Sequence, residues 1–198
     1  MNRATTANIR LLGISGSIRR HSANTAVLEA LRQRLASNGS ATMTLFGLEQ
    51  IPLFSADLEG EHLPPPVRAL QEAIRSSDGL VLCSPEYNYG MSGVLKNAID
   101  WASRPSLNSP LRNKPTLIMT AAPAATGGVR ACHQIRDALA SCLARVLVPP
   151  DVVIPRVREK IIGGTFVDEA TLAFATEAIG RLLAEIQLVQ RSLRRQKS

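Results

Sequence analysis

The chain has 198 residues, with 23 Lys and Arg against 16 Asp and Glu, a formal net charge of +7. Its 45% hydrophobic and 20% charged residues exclude a disordered chain and fit one globular domain, large enough to bury a core without covalent staples. Its cysteines, Cys83, Cys132 and Cys142, form no CxxC pair, which excludes a disulfide framework and a Cys-rich zinc site and points to the cytoplasm.

No apolar run reaches the ~18 residues that a membrane span needs, and the polar stretch 1–10 has no signal-like apolar centre. A single domain is expected over 1–198, with 1–8 and 191–198 as flexible tails. The last of these carries Arg191, Arg194, Arg195 and Lys197, which reads as a solvated helix end before it reads as a nucleic-acid tail. The positive balance still favours anionic ligands such as phosphates.

In chain order, residues 9–15 (IRLLGIS) read as a buried strand. A helix over 24–37 follows, with Val27, Leu28, Leu31 and Leu35 at helical spacing and Asn38-Gly39 as its stop. A second strand is expected at 41–46 and a long loop at 47–62. Residues 64–76 form a helix whose prolines sit at its start, where a missing N–H costs least. Residues 79–84 (GLVLCS) read as a strand apolar on both faces, and 92–103 as a helix. A fourth strand is expected at 115–122 and a helix at 129–144. A fifth strand at 146–154 is interrupted by Pro149-Pro150, which predicts an edge or bent strand. Gly163-Gly164 marks a turn, and a final helix begins near Asp168.

Five βα units in succession predict an α/β three-layer sandwich, with a parallel sheet covered on both faces. Ligands in such sheets bind outside the carboxyl ends of the strands, near the switch in strand order. Three loops leave those ends. The first, 16–24, offers Ser17, Ser22 and Asn24 beside Arg19 at a helix start, an anion cradle of phosphate size. An ordinary helix cap formed by Ser22 or Asn24 is the plainer alternative. GxxxxGK[ST], GxGxxG and GxSxG are all absent here, so neither a nucleoside-triphosphate loop, nor a standard dinucleotide fingerprint, nor a nucleophile elbow is spelled out.

The second loop, Ser84-Pro85-Glu86-Tyr87-Asn88-Tyr89-Gly90, holds both tyrosines of the chain. Tyr and Asn suit a planar heterocycle, although a surface turn could hold the same residues. The third loop, 123–128, is built of small residues that allow close backbone approach, as a tight turn would also require. Together the three loops suggest a phosphorylated flat cofactor, and FMN fits. Such a cofactor carries the redox chemistry itself, so no catalytic side chain is named. His21, His62 and His133 are scattered with no metal-binding spacing, and Glu86 with Asp100 makes an unconvincing acid–base pair.

At this point the chain resembles the NADPH-dependent FMN reductase family, including its chromate- and quinone-reducing members. The resemblance rests on G-S-x-R-x-x-S-x-N (Gly16, Ser17, Arg19, Ser22, Asn24), on Pro85-Glu86-Tyr87-Asn88, and on the stretch from Gly93 to Trp101 (GVLKNAIDW). It implies a flavodoxin-like fold with strand order 2-1-3-4-5. It implies FMN held by Ser17, Arg19, Ser22 and Asn24 at its phosphate and by Pro85, Glu86, Tyr87 and Asn88 along its ring. NADPH or NADH would supply the hydride, and a flavin, quinone, azo compound or metal oxyanion would be the small-molecule acceptor. A homodimer or homotetramer is implied as well. Ala121 and Ala125 stand where the family often has Ser and Gly, so Ala121 lies at the ring position without a hydroxyl. The family's common Tyr after G-G-x-R is also replaced, around Cys132-His133. Arg19, Arg104 and Arg112 are possible partners for a 2′-phosphate. Two other readings stand beside this one: a flavodoxin-type electron carrier without its own substrate, and a nucleic-acid-binding module, which lacks aromatics among its basic residues.

Overall fold

The computed structural model describes residues 9–195. The core strands are β1 (Arg10–Ser15), β2 (Thr42–Phe46), β3 (Gly79–Ser84) and β6 (Pro115–Ala121). Two-residue strands β4 (Glu86–Tyr87) and β5 (Gly90–Met91) form a separate hairpin. Beyond β6 come β7 (Arg145–Val146) and β8 (Val152–Ile154), then the hairpin β9 (Ile161–Ile162) and β10 (Thr165–Phe166). The helices are α1 (Ala23–Asn38), α2 (Pro65–Ser76), α3 (Gly93–Ala102), α4 (Val129–Ser141) and α5 (Glu169–Arg195).

The main sheet is parallel, in the order β2-β1-β3-β6-β7, with β8 also paired to β6. Five positions in this order match the expected 2-1-3-4-5 arrangement. The single interrupted strand expected at 146–154 is instead two short strands. Pro149 and Pro150 have no amide to donate, so the chain leaves β6 after Val146 and returns to it at Val152.

Alternate strand residues face opposite layers. Leu11, Val81, Cys83, Leu117 and Met119 pack with α1 and α5. Leu12, Ile14, Leu80, Leu82 and Ile118 pack with α2, α3 and α4. Helix α1 presents Val27, Leu28, Leu31 and Leu35 to the first layer and stops at Gly39, which adopts φ 65°. Helix α5 is capped by the Asp168 carboxylate, which accepts from the Thr171 amide at 2.9 Å. The Thr171 hydroxyl, then Lys160 and that amide, pull the Asp168 pKa down to about 2. The helix continues through Arg195, into the segment expected as a tail; residues 1–8 and 196–198 of the two expected tails lie outside the described residues. Among the described residues no helix is long and apolar enough to cross a membrane.

The long loop 47–62 contains two 3-10 turns and is pinned over α3. Asn97 accepts from the Phe54 amide at 2.8 Å and donates to the Pro52 carbonyl at 2.9 Å. The indole of Trp101 donates to the same carbonyl at 2.8 Å and meets the Phe54 ring edge-on, with centroids 4.8 Å apart. This gives a structural reason for Asn and Trp in the 93–101 stretch.

Candidate functional site

Strands β1, β3 and β6 are direct neighbours: Ser15 lies opposite Cys83, and Ser84 opposite Thr120. With neighbouring strands about 4.8 Å apart, the three loops that follow them emerge side by side. The switch in strand order lies at β1, flanked by β2 on one side and β3 on the other, where an open α/β sheet places its ligand.

The first loop enters α1 through Ser22, whose Oγ accepts from the Thr25 amide at 3.2 Å. Ser22 is thus the helix cap, the plainer of its two expected roles. Thr25 Oγ1 donates to Ser15 Oγ at 2.9 Å, and Ser15 Oγ accepts from the Ser17 amide at 3.3 Å. Neither Ser15 nor Thr25 was singled out by the sequence, yet together they fix the loop's curl. Ser17 is buried, and its Oγ has no hydrogen-bond partner. Among the described residues no hydrogen bond engages the amides from Ile18 to Ser22. Arg19 is exposed and makes no ion pair among the described residues. Buried polar groups normally find partners. A buried free hydroxyl beneath free amides at a helix start therefore fits a phosphate.

Asn24 takes a different role from the one its spacing suggests. It is buried; its Nδ2 donates to the Ala121 carbonyl at 3.2 Å, and its Oδ1 accepts from the Cys83 thiol at 3.2 Å. The side chain thus ties α1 to β3 and β6 from inside. Ala121 is buried in the same layer, with its carbonyl committed to Asn24. Burial also pushes the Cys83 thiol well above its ordinary pKa, so this thiol stays protonated as the donor.

Gly16 brings the first and second loops into contact. Its amide donates to the Cys83 carbonyl at 2.8 Å. A Cβ there would stand 2.8 Å from Ser84 Oγ, 3.0 Å from Ser92 Oγ and 3.1 Å from Ser84 Cα. Pro85 lies between Ser84 and the β4–β5 hairpin. That hairpin turns through Asn88 (φ 50°) and Tyr89 (φ 64°), both left-handed, as a two-residue turn of the tightest kind demands. Asn tolerates this conformation, whereas Tyr is strained by it. Tyr87 is 50% and Tyr89 73% exposed, which leaves both rings available at the rim.

The hairpin is held by α4. The Glu86 carboxylate accepts from the amides of Arg130 and Ala131 at 2.9 and 3.2 Å and lies 3.5 Å from the Arg130 guanidinium. The guanidinium lies over the Tyr89 ring, 4.2 Å from its centroid, a cation–π distance. Gln134 Oε1 accepts from the Met91 amide at 2.7 Å. Glu86 therefore meets a helix end with its side chain, and Arg130 and Gln134 are positioning residues that no local spacing announced. Asp100, an unconvincing partner for Glu86 on sequence, is bonded to Lys96 at 2.7 Å on the same helix.

The third loop closes on Gly127 and Gly128, with φ 62° and 95°. A Cβ on Gly127 would stand 2.8 Å from the Pro155 nitrogen, so only glycine lets the loop lie against β8. Gly128 starts α4 without a side-chain cap, a gap the Glu86 carboxylate fills. The buried Thr120 hydroxyl below it also has no partner. Arg104 and Arg112 are not brought to this edge. Arg104 pairs with Glu59 at 3.5 Å, and Arg112 stands by the amino end of β6.

The chain is similar to known proteins over most of its length. The family model described as NADPH-dependent FMN reductase matches residues 9–159. An NAD(P)H-dependent FMN reductase of Pseudomonas aeruginosa is 37% identical, over 94% of this chain and 98% of that protein. A quinone reductase of Escherichia coli K12 is 36% identical, over 92% of this chain and 96% of its own length. Among solved structures, the flavoenzyme NAD(P)H:(acceptor) oxidoreductase FerB of Paracoccus denitrificans superposes with a TM-score of 0.78 at 25% identity, covering 90% of this chain and 97% of FerB.

Proposed function

The chain belongs to the NADPH-dependent FMN reductase family, and from that premise we propose how its own residues carry the reaction. It is an NAD(P)H-dependent oxidoreductase that uses FMN, and its relatives favour this over a non-enzymatic electron carrier. When bound, FMN supplies the two-electron chemistry.

In this reading the phosphate lies on the Ile18–Ser22 amides, with the Ser17 hydroxyl and the Arg19 guanidinium as side-chain partners. Ser22 shapes that cradle as the helix cap. Asn24 and Ala121 brace its floor through their hydrogen bond. Pro85, Glu86, Tyr87 and Asn88 present the hairpin backbone and the Tyr87 ring to the flat part of the cofactor, while the Glu86 side chain keeps the hairpin on α4. Exposed rings at the rim leave room for a nicotinamide donor and then for a planar acceptor. The acceptor class best supported is a quinone or a free flavin; azo compounds and metal oxyanions are further members of the proposed range. The exposed Tyr87 and Tyr89 also suit a contact with a second copy, so a homodimer or homotetramer is part of the proposal. Free thiols at Cys83, Cys132 and Cys142 support a cytoplasmic setting.

The carrying observation is the Ser17 hydroxyl, buried without a partner at the switch point. Its neighbour Arg19 gives the test. Arg19→Ala removes a charge-assisted hydrogen bond worth about 1.5–3 kcal/mol, so FMN affinity falls by roughly 10- to 150-fold. Unchanged affinity in a fluorescence titration would remove the phosphate from this loop.

A further inference from the structure

A second cavity lies at the other end of the sheet. Its volume is about 630 Å³, and it lies between the starts of β6 and β7, the turn before β3 and the later turns of α5. None of the three cofactor loops contributes to its lining. One side carries Arg112, Lys114 and Arg145 with a single carboxylate, Asp78. Its lining also includes the apolar Leu188, which is exposed, and the half-buried Val189.

The charges in this cavity do not balance. Asp78 accepts from the Arg10 amide at 2.8 Å and from Gln190 at 3.3 Å. Arg145 is held by Glu185 at 2.7 Å. Lys114 donates to the Ser77 carbonyl at 2.5 Å. Among the described residues neither Lys114 nor Arg112 makes an ion pair within 4.0 Å. Burial lowers the Lys114 pKa to about 8 against the attraction of Asp78, with Arg10 and Arg75 repelling it. A cation held partly out of water with no direct ion pair is costly, and an incoming anion would relieve that cost.

We propose that this cavity binds an organic phosphate, its head group on Arg112 and Lys114 and its apolar body against Leu188 and Val189. Two chemistries meet there. Clustered Arg and Lys suit a dianionic phosphate. The volume falls within the few hundred to about 1,000 Å³ typical of small-molecule sites, far more than inorganic phosphate needs. The site is separate from the flavin edge and independent of the reading given for it.

The test is isothermal titration of the FMN-loaded protein with hexyl phosphate, alongside inorganic phosphate and hexanoate. Saturable hexyl phosphate binding is expected, at least tenfold tighter than inorganic phosphate. It should weaken at least tenfold in Arg112→Gln, an exposed position, and again in Lys114→Gln, with FMN retained and the flavin spectrum unchanged. Hexanoate binding as tightly as hexyl phosphate would replace phosphate with a general carboxylate-type anion and overturn the assigned head group. Absent binding, equal affinity in both variants, displacement of FMN, or loss of binding in Arg19→Ala would each overturn the site itself.

Discussion

Replacing Glu86 separates a residue that holds the site from one that acts within it. Its carboxylate accepts two amides at the start of α4, at 2.9 and 3.2 Å, while the Gly128 cap offers no side chain. Glu86→Ala removes both acceptors. Loss of a helix cap costs about 0.5–2 kcal/mol. Loss of the negative charge at a partly buried helix start adds about 0.3–2 kcal/mol. The side chain is only 10% exposed, so water replaces the carboxylate poorly, and a total near ~2–3 kcal/mol is expected. Glu86→Gln keeps one carbonyl acceptor and loses the charge, so about 1 kcal/mol is expected. Urea unfolding of the flavin-free protein measures both losses. Anaerobic mixing of the FMN-loaded variants with NADPH then measures reduction per bound flavin, expected to stay within several-fold of the parent. Parental stability in Glu86→Ala together with lost reduction would refute the capping role and place the carboxylate on the cofactor.

Three further outcomes follow from the same geometry. Ser17→Ala should weaken FMN binding by about 1 kcal/mol, roughly fivefold, yet leave flavin-free stability unchanged or slightly raised, because its Oγ has no partner to lose; equal loss in both measurements would make the hydroxyl structural. Tyr89→Gly should relieve about 1 kcal/mol of left-handed strain, offset in part by the lost stacking of Arg130. It should also raise the KM for planar acceptors, and an unchanged KM would take the Tyr89 ring out of acceptor binding. Lys114 carries a pKa of about 8 in the fold against an ordinary 10.5, so the unfolded chain holds the extra proton between those values. Stability should therefore rise from about pH 8 to about pH 10.5, by roughly 1–2 kcal/mol after solvent screening; Lys114→Gln should flatten that rise in urea titrations, and an identical slope in the variant would assign it elsewhere.

Sequence periodicity revealed the elements whose burial is repetitive. Val67, Leu70 and Ile74 mark α2, and the wholly apolar β3 marks the middle of the sheet, because burial on one or both faces writes itself into spacing. The β4–β5 hairpin was not legible. Each of its strands has two residues, and its turn is Asn-Tyr where Asn-Gly would have announced it. Gly16, Ser17 and Ser22 were legible as a loop entering a helix. Asn24 was not, since only the packed fold shows its amide turned inward to Ala121 and Cys83. The contact of Glu86 with α4 spans 44 residues, and no local pattern encodes a bond that long. Ser15 and Thr25 escaped for a similar reason: they serve the loop by bonding each other from a strand end and a helix start.

The central claim is that the loops after β1, β3 and β6 hold an FMN that NADPH reduces and an acceptor reoxidises. Its most direct measurement is the visible spectrum of the protein after FMN loading and desalting, followed by anaerobic NADPH and then a quinone. The account predicts a flavin band that stays with the protein, bleaches within the mixing experiment and returns when quinone is added. A band that stays but does not bleach with NADPH or NADH would contradict the enzyme reading, and a protein that retains no flavin and consumes no NADPH with free FMN would contradict the site as well.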